Sequence, residues 1–370
     1  MWWTRLKALI VKELLALLRD PKARLILVGP PLVQLLVFSY AATLDVTNIG
    51  LVVLDRDAGA ASRELVQRLE GAPDFRRVVP VASEAALAAA IDRQEAIAAI
   101  SIGPTFSRDI AAGVPAKVQV ILDGRRSNAS QIVAGYISRI VQGLGAEIAV
   151  SGGRAPPPVD VVARNWFNPN LIYQWFMVPN LVASIALLIG LIVTALSIAR
   201  ERELGTFDQL MVSPLRTHEI LIGKVIPPML VGSVHLTLYV LAAVLVFGIP
   251  LRGSLGLLYG SALFYLLSVA GLGLFISALA ATQQQAILGA FLLLVPATLL
   301  SGFATPIENM PEWLQPVTIV NPLRYFLIIV RGVFLKDLPV AEIAAQTLPL
   351  ALIAAATLTA AAWLFRRRLE

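Results

Sequence analysis

Apolar runs of about twenty residues recur along this chain, and a helix of that length crosses ~30 Å of hydrocarbon at ~1.5 Å per residue. They predict spans at roughly Arg24–Leu44, Leu171–Ala199, Ile220–Phe247, Leu257–Ala280, Ala286–Phe303 and Ile343–Phe365. Hydrophobic residues make up 57% and charged residues 15%, with mean hydropathy +0.76, where soluble domains carry about 25% charge. The expected fold class is therefore a polytopic α-helical membrane protein with six transmembrane helices, an N-terminal interfacial helix and an inserted α/β extracytoplasmic domain.

Charge orients the spans. Arg5, Lys7, Lys12, Arg19, Lys22 and Arg24 precede the first run, Arg200, Arg202, Arg216 and Lys224 lie between the second and third, and Arg366, Arg367 and Arg368 close the sequence. The positive-inside rule places all three clusters in the cytoplasm, and with them both termini. Arg324, Arg331 and Lys336 fall on the outer side and weigh against that choice.

Residues 1–22 differ from the spans. Trp2, Trp3, Leu6, Leu9, Ile10, Leu14 and Leu17 share one helical face, with Arg5, Lys12 and Arg19 on the other. That pattern suits a helix lying in the cytoplasmic interface. A cleavable signal peptide is disfavoured, because the apolar stretch at 23–44 exceeds a signal core and follows a whole amphipathic helix.

Residues 45–168 alternate strand-like and helical stretches. Ile49–Leu54, Phe75–Val81, Ala96–Ile102 and Val118–Leu122 read as strands and Ser127–Val150 as a long helix. Asp45–Asn165 holds thirteen basic and thirteen acidic residues, so the basic excess lies in the membrane flanks. Asp55, Asp57, Asp123, Arg125 and Arg126 stand at strand ends, where α/β folds place ligands. The plainer reading is solvated loop residues.

Several functions are excluded. Cys is absent and there are two His residues, which removes thiolate and His-based metal or nucleophile chemistry. No G-x-S-x-G, H-E-x-x-H or G-x-G-x-x-G motif occurs in the inserted domain. All six lysines, at 7, 12, 22, 117, 224 and 336, lack the following Ser or Thr of a P-loop. The chain therefore carries no ATPase site of that type and no cofactor or metal of its own. Nucleic acid is excluded by the dispersal of its basic residues. His235, near mid-span, is expected to hydrogen-bond a neighbouring helix.

Two polar segments interrupt residues 169–370. Arg200–Asp208 puts five ionisable side chains into nine residues, which forces a break between spans. Glu201, Arg202 and Glu203 extend the preceding helix, Gly205-Thr206 bends it, and Thr206 would cap a short helix over Phe207–Val212. Further on, Pro306, Pro311, Pro316 and Pro322 forbid one continuous helix. Two short helices dipping into the outer leaflet, with Phe303, Trp313, Tyr325 and Phe326 at the interface, satisfy both constraints.

The runs E-R-E-L-G-T-F-D-Q-L-M-V-S-P at Glu201–Pro214, S-G-F-A-T-P-I-E-N-M-P-E-W-L-Q at Ser301–Gln315 and N-P-L-R-Y-F at Asn321–Phe326 resemble the permease subunit of ABC-2 type exporters. The likeness is to the bacterial inner-membrane branch with a large periplasmic loop after the first span. It implies a dimeric subunit, homodimer or heterodimer, that exports a hydrophobic or amphiphilic substrate with separate ABC ATPase subunits binding ATP and Mg. A periplasmic adaptor protein is a further candidate partner. Within the segment 200–218, the resemblance gives Glu201, Glu203, Gly205, Thr206, Gln209, Leu210 and Pro214 the ATPase-coupling role. Within the outer re-entrant segment 304–335, it gives Pro306, Glu308, Asn309, Pro311, Trp313, Asn321, Pro322 and Arg324 the role of an exit gate. The alternative is a membrane scaffold or sensor that binds partners through the inserted domain without transport.

Overall fold

The computed structural model describes residues 2–40, 48–151, 166–207, 209, 212 and 215–367. The chain divides into two units, one of residues 1–42 and 165–370, the other of residues 43–164.

The first unit is helical. It begins with α1 (Trp2–Arg19) and α2 (Pro21–Tyr40), and Pro21 starts α2 where its missing N–H leaves no bond unmade. Then come α7 (Tyr173–Glu203), α8 (Thr217–Leu245), α9 (Leu255–Leu279), α10 (Gln283–Leu299), α11 (Pro322–Arg331) and α12 (Val340–Arg367). The polar residues that flank these helices close their ends. Ser254 accepts the Leu257 N–H at 3.5 Å, Thr282 that of Gln285 at 3.3 Å and Asn321 that of Leu323 at 3.1 Å. Glu219 reaches back to the Arg216 N–H at 2.8 Å.

α7 is the axis of this unit. Its apolar window is 83% buried, against 33% for α8 and 22% for α12, so α7 meets protein on most sides while its neighbours keep faces free for lipid. Small residues permit the close crossings: Gly273 of α9 lies against Thr194 of α7, and Gly271 against Thr357 of α12. Buried Tyr265 donates to the Ala183 carbonyl at 2.9 Å and stacks on Phe326 at 4.1 Å, which joins α9, α7 and α11.

Among the described residues four helices, α7, α8, α9 and α12, are long and apolar enough to cross a membrane, and α1 with α2, bent by 65°, makes a fifth candidate. The sequence reading of six is therefore not reproduced by length and composition. The run expected at Ala286–Phe303 yields α10, 17 residues long, or about 25 Å. Past Leu299 the chain turns: Ser301 Oγ donates to the Thr298 carbonyl and accepts the Phe303 N–H, and Gly302 takes φ +82°.

The second unit is built on a four-stranded sheet in the order β2-β1-β3-β4. Its strands are β1 (Ile49–Asp55), β2 (Phe75–Pro80), β3 (Ala98–Ile102) and β4 (Val118–Leu122). β1 is parallel to β2 and β3, and β4 is antiparallel to β3. The helices are α3 (Ala60–Gly71), α4 (Glu84–Asp92), α5 (Phe106–Ala111) and α6 (Ser127–Ser151). Side chains alternate along β1 as a pleated strand requires. Leu51 and Val53 join Leu65, Leu69, Val133 and Ile137 of α3 and α6, whereas Val52 and Leu54 join Leu87 and Ala90 of α4.

Candidate functional site

Four consecutive charged residues end α7, and each ties it to a different part of the unit. Arg200 pairs with Asp20 at 3.0 Å, at the junction of α1 and α2. Glu201 turns inward, with Lys12 of α1 at 2.7 Å from Oε1 and Lys224 of α8 at 2.9 Å from Oε2. Arg202 donates to the Ala278 and Ala280 carbonyls at 2.8 and 2.9 Å, at the end of α9. Glu203 accepts the Gln283 N–H at 2.7 Å, the first of α10, where the helix dipole favours a carboxylate.

Lys224 is the least expected member. Its side chain is fully buried, and its ammonium also lies 2.9 Å from Glu13 of α1. Two ammonium and two carboxylate groups, Lys12, Lys224, Glu13 and Glu201, thus close a neutral cluster joining α1, α7 and α8. Burying one of these charges without the others would cost several kcal/mol. Below the cluster Leu9, Ile198, Ile220, Val225, Leu274 and Phe365 form an apolar core, so α1 and the end of α12 meet α7 at the same end.

The segment after α7 is held from this hub. Gly205 takes φ +70°, the left-handed conformation that favours glycine. The Gly205 N–H donates to the Arg202 carbonyl at 3.1 Å and the Thr206 N–H to that of Glu201 at 2.9 Å, closing the helix end. The Thr206 hydroxyl also turns back onto the Glu201 carbonyl, at 3.4 Å. A cap of the expected following helix would engage the N–H groups of residues 208 and 209, and residue 208 lies outside the described residues. Phe207 lies under Arg202 at 5.0 Å and edge-on to Phe365 at 6.0 Å. Phe207 and Gln209 are helical, and Gln209 is exposed. Leu210 and Pro214, with Asp208 and Ser213 of the expected short helix, lie outside the described residues.

At the other end of α7 the segment 304–335, expected to hold two short helices, carries two short 3₁₀ helices, Ile307–Asn309 and Gln315–Val320, followed by α11. The prolines that break the helix set this: Pro306 precedes the first turn, Pro311 follows it, and Pro322 opens α11. Asn321 both caps α11 and donates to the Ala297 carbonyl of α10 at 2.7 Å. Arg324 donates to Thr318 at 2.5 Å and lies over Tyr325. Glu308 and Asn309 sit in the first turn, and Trp313 is 75% exposed. After α11 a π-helical turn, Gly332–Lys336, receives the Gly253 N–H on the Val333 carbonyl at 2.8 Å.

The remaining candidates are structural. His235 lies 2.9 Å from the Val231 carbonyl and 3.0 Å from that of Leu27 on α2, the interhelical bond expected of it. In the α/β unit, Asp55 accepts the Asp57 and Ala58 N–H groups, and Asp57 accepts from Ser107. The Ser107 hydroxyl holds the Asp57 carboxyl below its ordinary range. Asp123 pairs with Arg125 at 2.8 Å. These bonds fix loops and leave no reactive group poised.

Comparison with known proteins gives this arrangement its class. The model of the ABC-2 family transporter proteins matches residues 25–363, and the chain belongs to that family. It is 44% identical to the probable multidrug ABC transporter permease YbhR of Escherichia coli K12, over 99% of both chains. It is 35% identical to the probable multidrug permease YbhS of the same organism, over 91% of this chain and 90% of that one. The inner membrane transport permease YhhJ, also of E. coli K12, is 28% identical over 97% and 96%.

Proposed function

We propose that this multi-pass permease subunit moves hydrophobic or amphiphilic substrates outward, powered by separate ATPase subunits that bind ATP and Mg. The observation that carries the reading is the charged end of α7. Arg200, Glu201, Arg202 and Glu203 bind α1, α8, α9 and α10 into one body, and Gln209, shortly after them in the chain, is exposed. A push on the segment at Gln209 would be transmitted to several helices together.

In this reading Glu201 contributes from inside, as the centre of the neutral cluster, and Glu203, Gly205, Thr206 and Gln209 set the direction of the ATPase-facing segment with Leu210 and Pro214. The segment 304–335 caps the exit path. Two permease subunits, identical or not, enclose the path. On α10, Leu288, Leu292 and Val295 stay exposed at helical spacing, a face for lipid or for the second subunit. Multidrug substrates are in keeping with the names of YbhR and YbhS.

Both termini and residues 200–218 are cytoplasmic and the α/β unit 45–168 is extracytoplasmic, with α2 and α10 completing six crossings of an inner membrane. An impermeant thiol reagent tests this in a protein that has no cysteine of its own. Cysteine placed at Ala85, exposed on α4, is expected to react in intact cells, and cysteine at His218, exposed at the start of α8, only after lysis. The opposite order would invert the topology and, with it, the direction of transport.

A further inference from the structure

At the end of α7 away from the charged hub, a half-buried cation has no carboxylate partner among the described residues. Arg331 closes α11, donates through Nε to Asn180 Oδ1 of α7 and through Nη2 to the Gly302 carbonyl at 3.1 Å, and lies 5.0 Å over the Phe176 ring. Among the described residues it faces no carboxylate. Lys224, at the opposite end, has two.

Asn180 is completely buried, and its Nδ2 has no hydrogen-bond partner among the described residues. Its Oδ1 is already occupied by Arg331, and Nδ2 is bonded to the same carbon, so the orphan amide group sits beside the guanidinium. A guanidinium presents five N–H donors in a planar fork. Two are used, which leaves three there, partly open to solvent, and two on buried Asn180, with no acceptor among the described residues. Such a concentration of donors matches the several lone pairs of an oxyanion.

A neutral polar contact would suffice to clasp α11 to α7. It would not offset removing a full positive charge from water, and the dipole at the end of α11 helps only weakly. We propose that Arg331 and Asn180 form a binding site for the phosphate or carboxylate head of an anionic amphiphile, with Phe176 beside it as an apolar face. The site lies 21 residues along α7 from Glu201, about 31 Å. Its ligand comes either from the bilayer, as an anionic headgroup, or from a free amphiphile.

The test measures binding rather than export, so its result stands apart from the transport reading. The full chain is held in phosphatidylcholine nanodiscs and offered phosphatidylglycerol in one arm, read by native mass spectrometry, and dodecyl phosphate in the other, read by thermal shift. The informative variant is Asn180→Asp, nearly isosteric, which supplies from within the chain the anion that Arg331 lacks. Wild type is expected to hold one or both probes, and Asn180→Asp to bind them at least about tenfold more weakly, ~1.4 kcal/mol. In phosphatidylcholine alone the variant should melt at or above the wild-type temperature. Arg331→Gln should lose the same binding without that gain. Selective capture of phosphatidylglycerol assigns the site to a bilayer lipid, and selective capture of dodecyl phosphate to a free amphiphile. Equal binding by wild type and Asn180→Asp in both arms, or a lower melting temperature for Asn180→Asp in phosphatidylcholine, would overturn the proposal and leave Arg331 a clasp.

Discussion

Lys224→Met is expected to destabilise the helical unit by about 3–5 kcal/mol, because it removes the buried ammonium shared by Glu13 and Glu201 and leaves only the half-exposed Lys12 between the two carboxylates. Lys12→Met should cost far less, under about 1 kcal/mol, since that side chain is 55% exposed and solvent screens its pairs. The same physics predicts rescue. A triple variant, Lys224→Met with Glu13→Leu and Glu201→Leu, removes every member of the buried charge set and should recover most of the loss. Thermal melting in one detergent measures all three. Equal melting of Lys224→Met and wild type would mean that the cluster does not hold α1, α7 and α8 together.

Gly273→Ala is expected to open the crossing of α7 and α9. An added Cβ would fall 1.7 Å from Thr194 Oγ1 and 2.9 Å from the Leu191 carbonyl oxygen. The hydroxyl could rotate away, at the loss of its 2.6 Å bond to the Gly190 carbonyl, but the backbone oxygen belongs to the most buried helix and cannot. Overpacking of this kind costs typically 1–3 kcal/mol. Pairing it with Thr194→Ala should return part of that loss, the part owed to the side chain. Melting temperatures of the single and double variants decide it, and a neutral Gly273→Ala would show that the two helices have room to spare.

The sequence carried the elements better than their connections. Strands read at Ile49–Leu54, Phe75–Val81, Ala96–Ile102 and Val118–Leu122 fall within two residues of those observed, because alternation along a buried sheet is a local signal. The charged run at the end of α7 was equally visible. What it could not reveal is that Glu201 points inward while Glu203 points at α10, since their partners lie at positions 12, 224 and 283. By sequence Lys224 is one more cytoplasmic flank charge, and its position within an otherwise apolar run is the available signal for a buried partner.

By sequence Arg331 is one of the outer-loop charges that weigh against the topology, whereas in the structure it is half-buried against Asn180 of α7. Asn180, an amide inside the most apolar span, is the complementary signal. The shortness of α10 has a local cause visible in the sequence: Pro296 within it, then Ser301-Gly302, which end the helix at 17 residues.

The most direct measurement is the number of substrate molecules exported per ATP hydrolysed, in vesicles reconstituted with the permease and its ATPase. Gly205→Val forces a β-branched residue into a φ of +70°, which strains the turn by about 1 kcal/mol or more while leaving the buried charge cluster intact. Glu203→Gln weakens the tie to α10. Both variants are expected to insert and bind the ATPase near wild-type levels, hydrolyse ATP, and export at a ratio reduced about tenfold, ~1.4 kcal/mol of coupling. An unchanged ratio in both would contradict the claim that the end of α7 transmits the ATPase stroke.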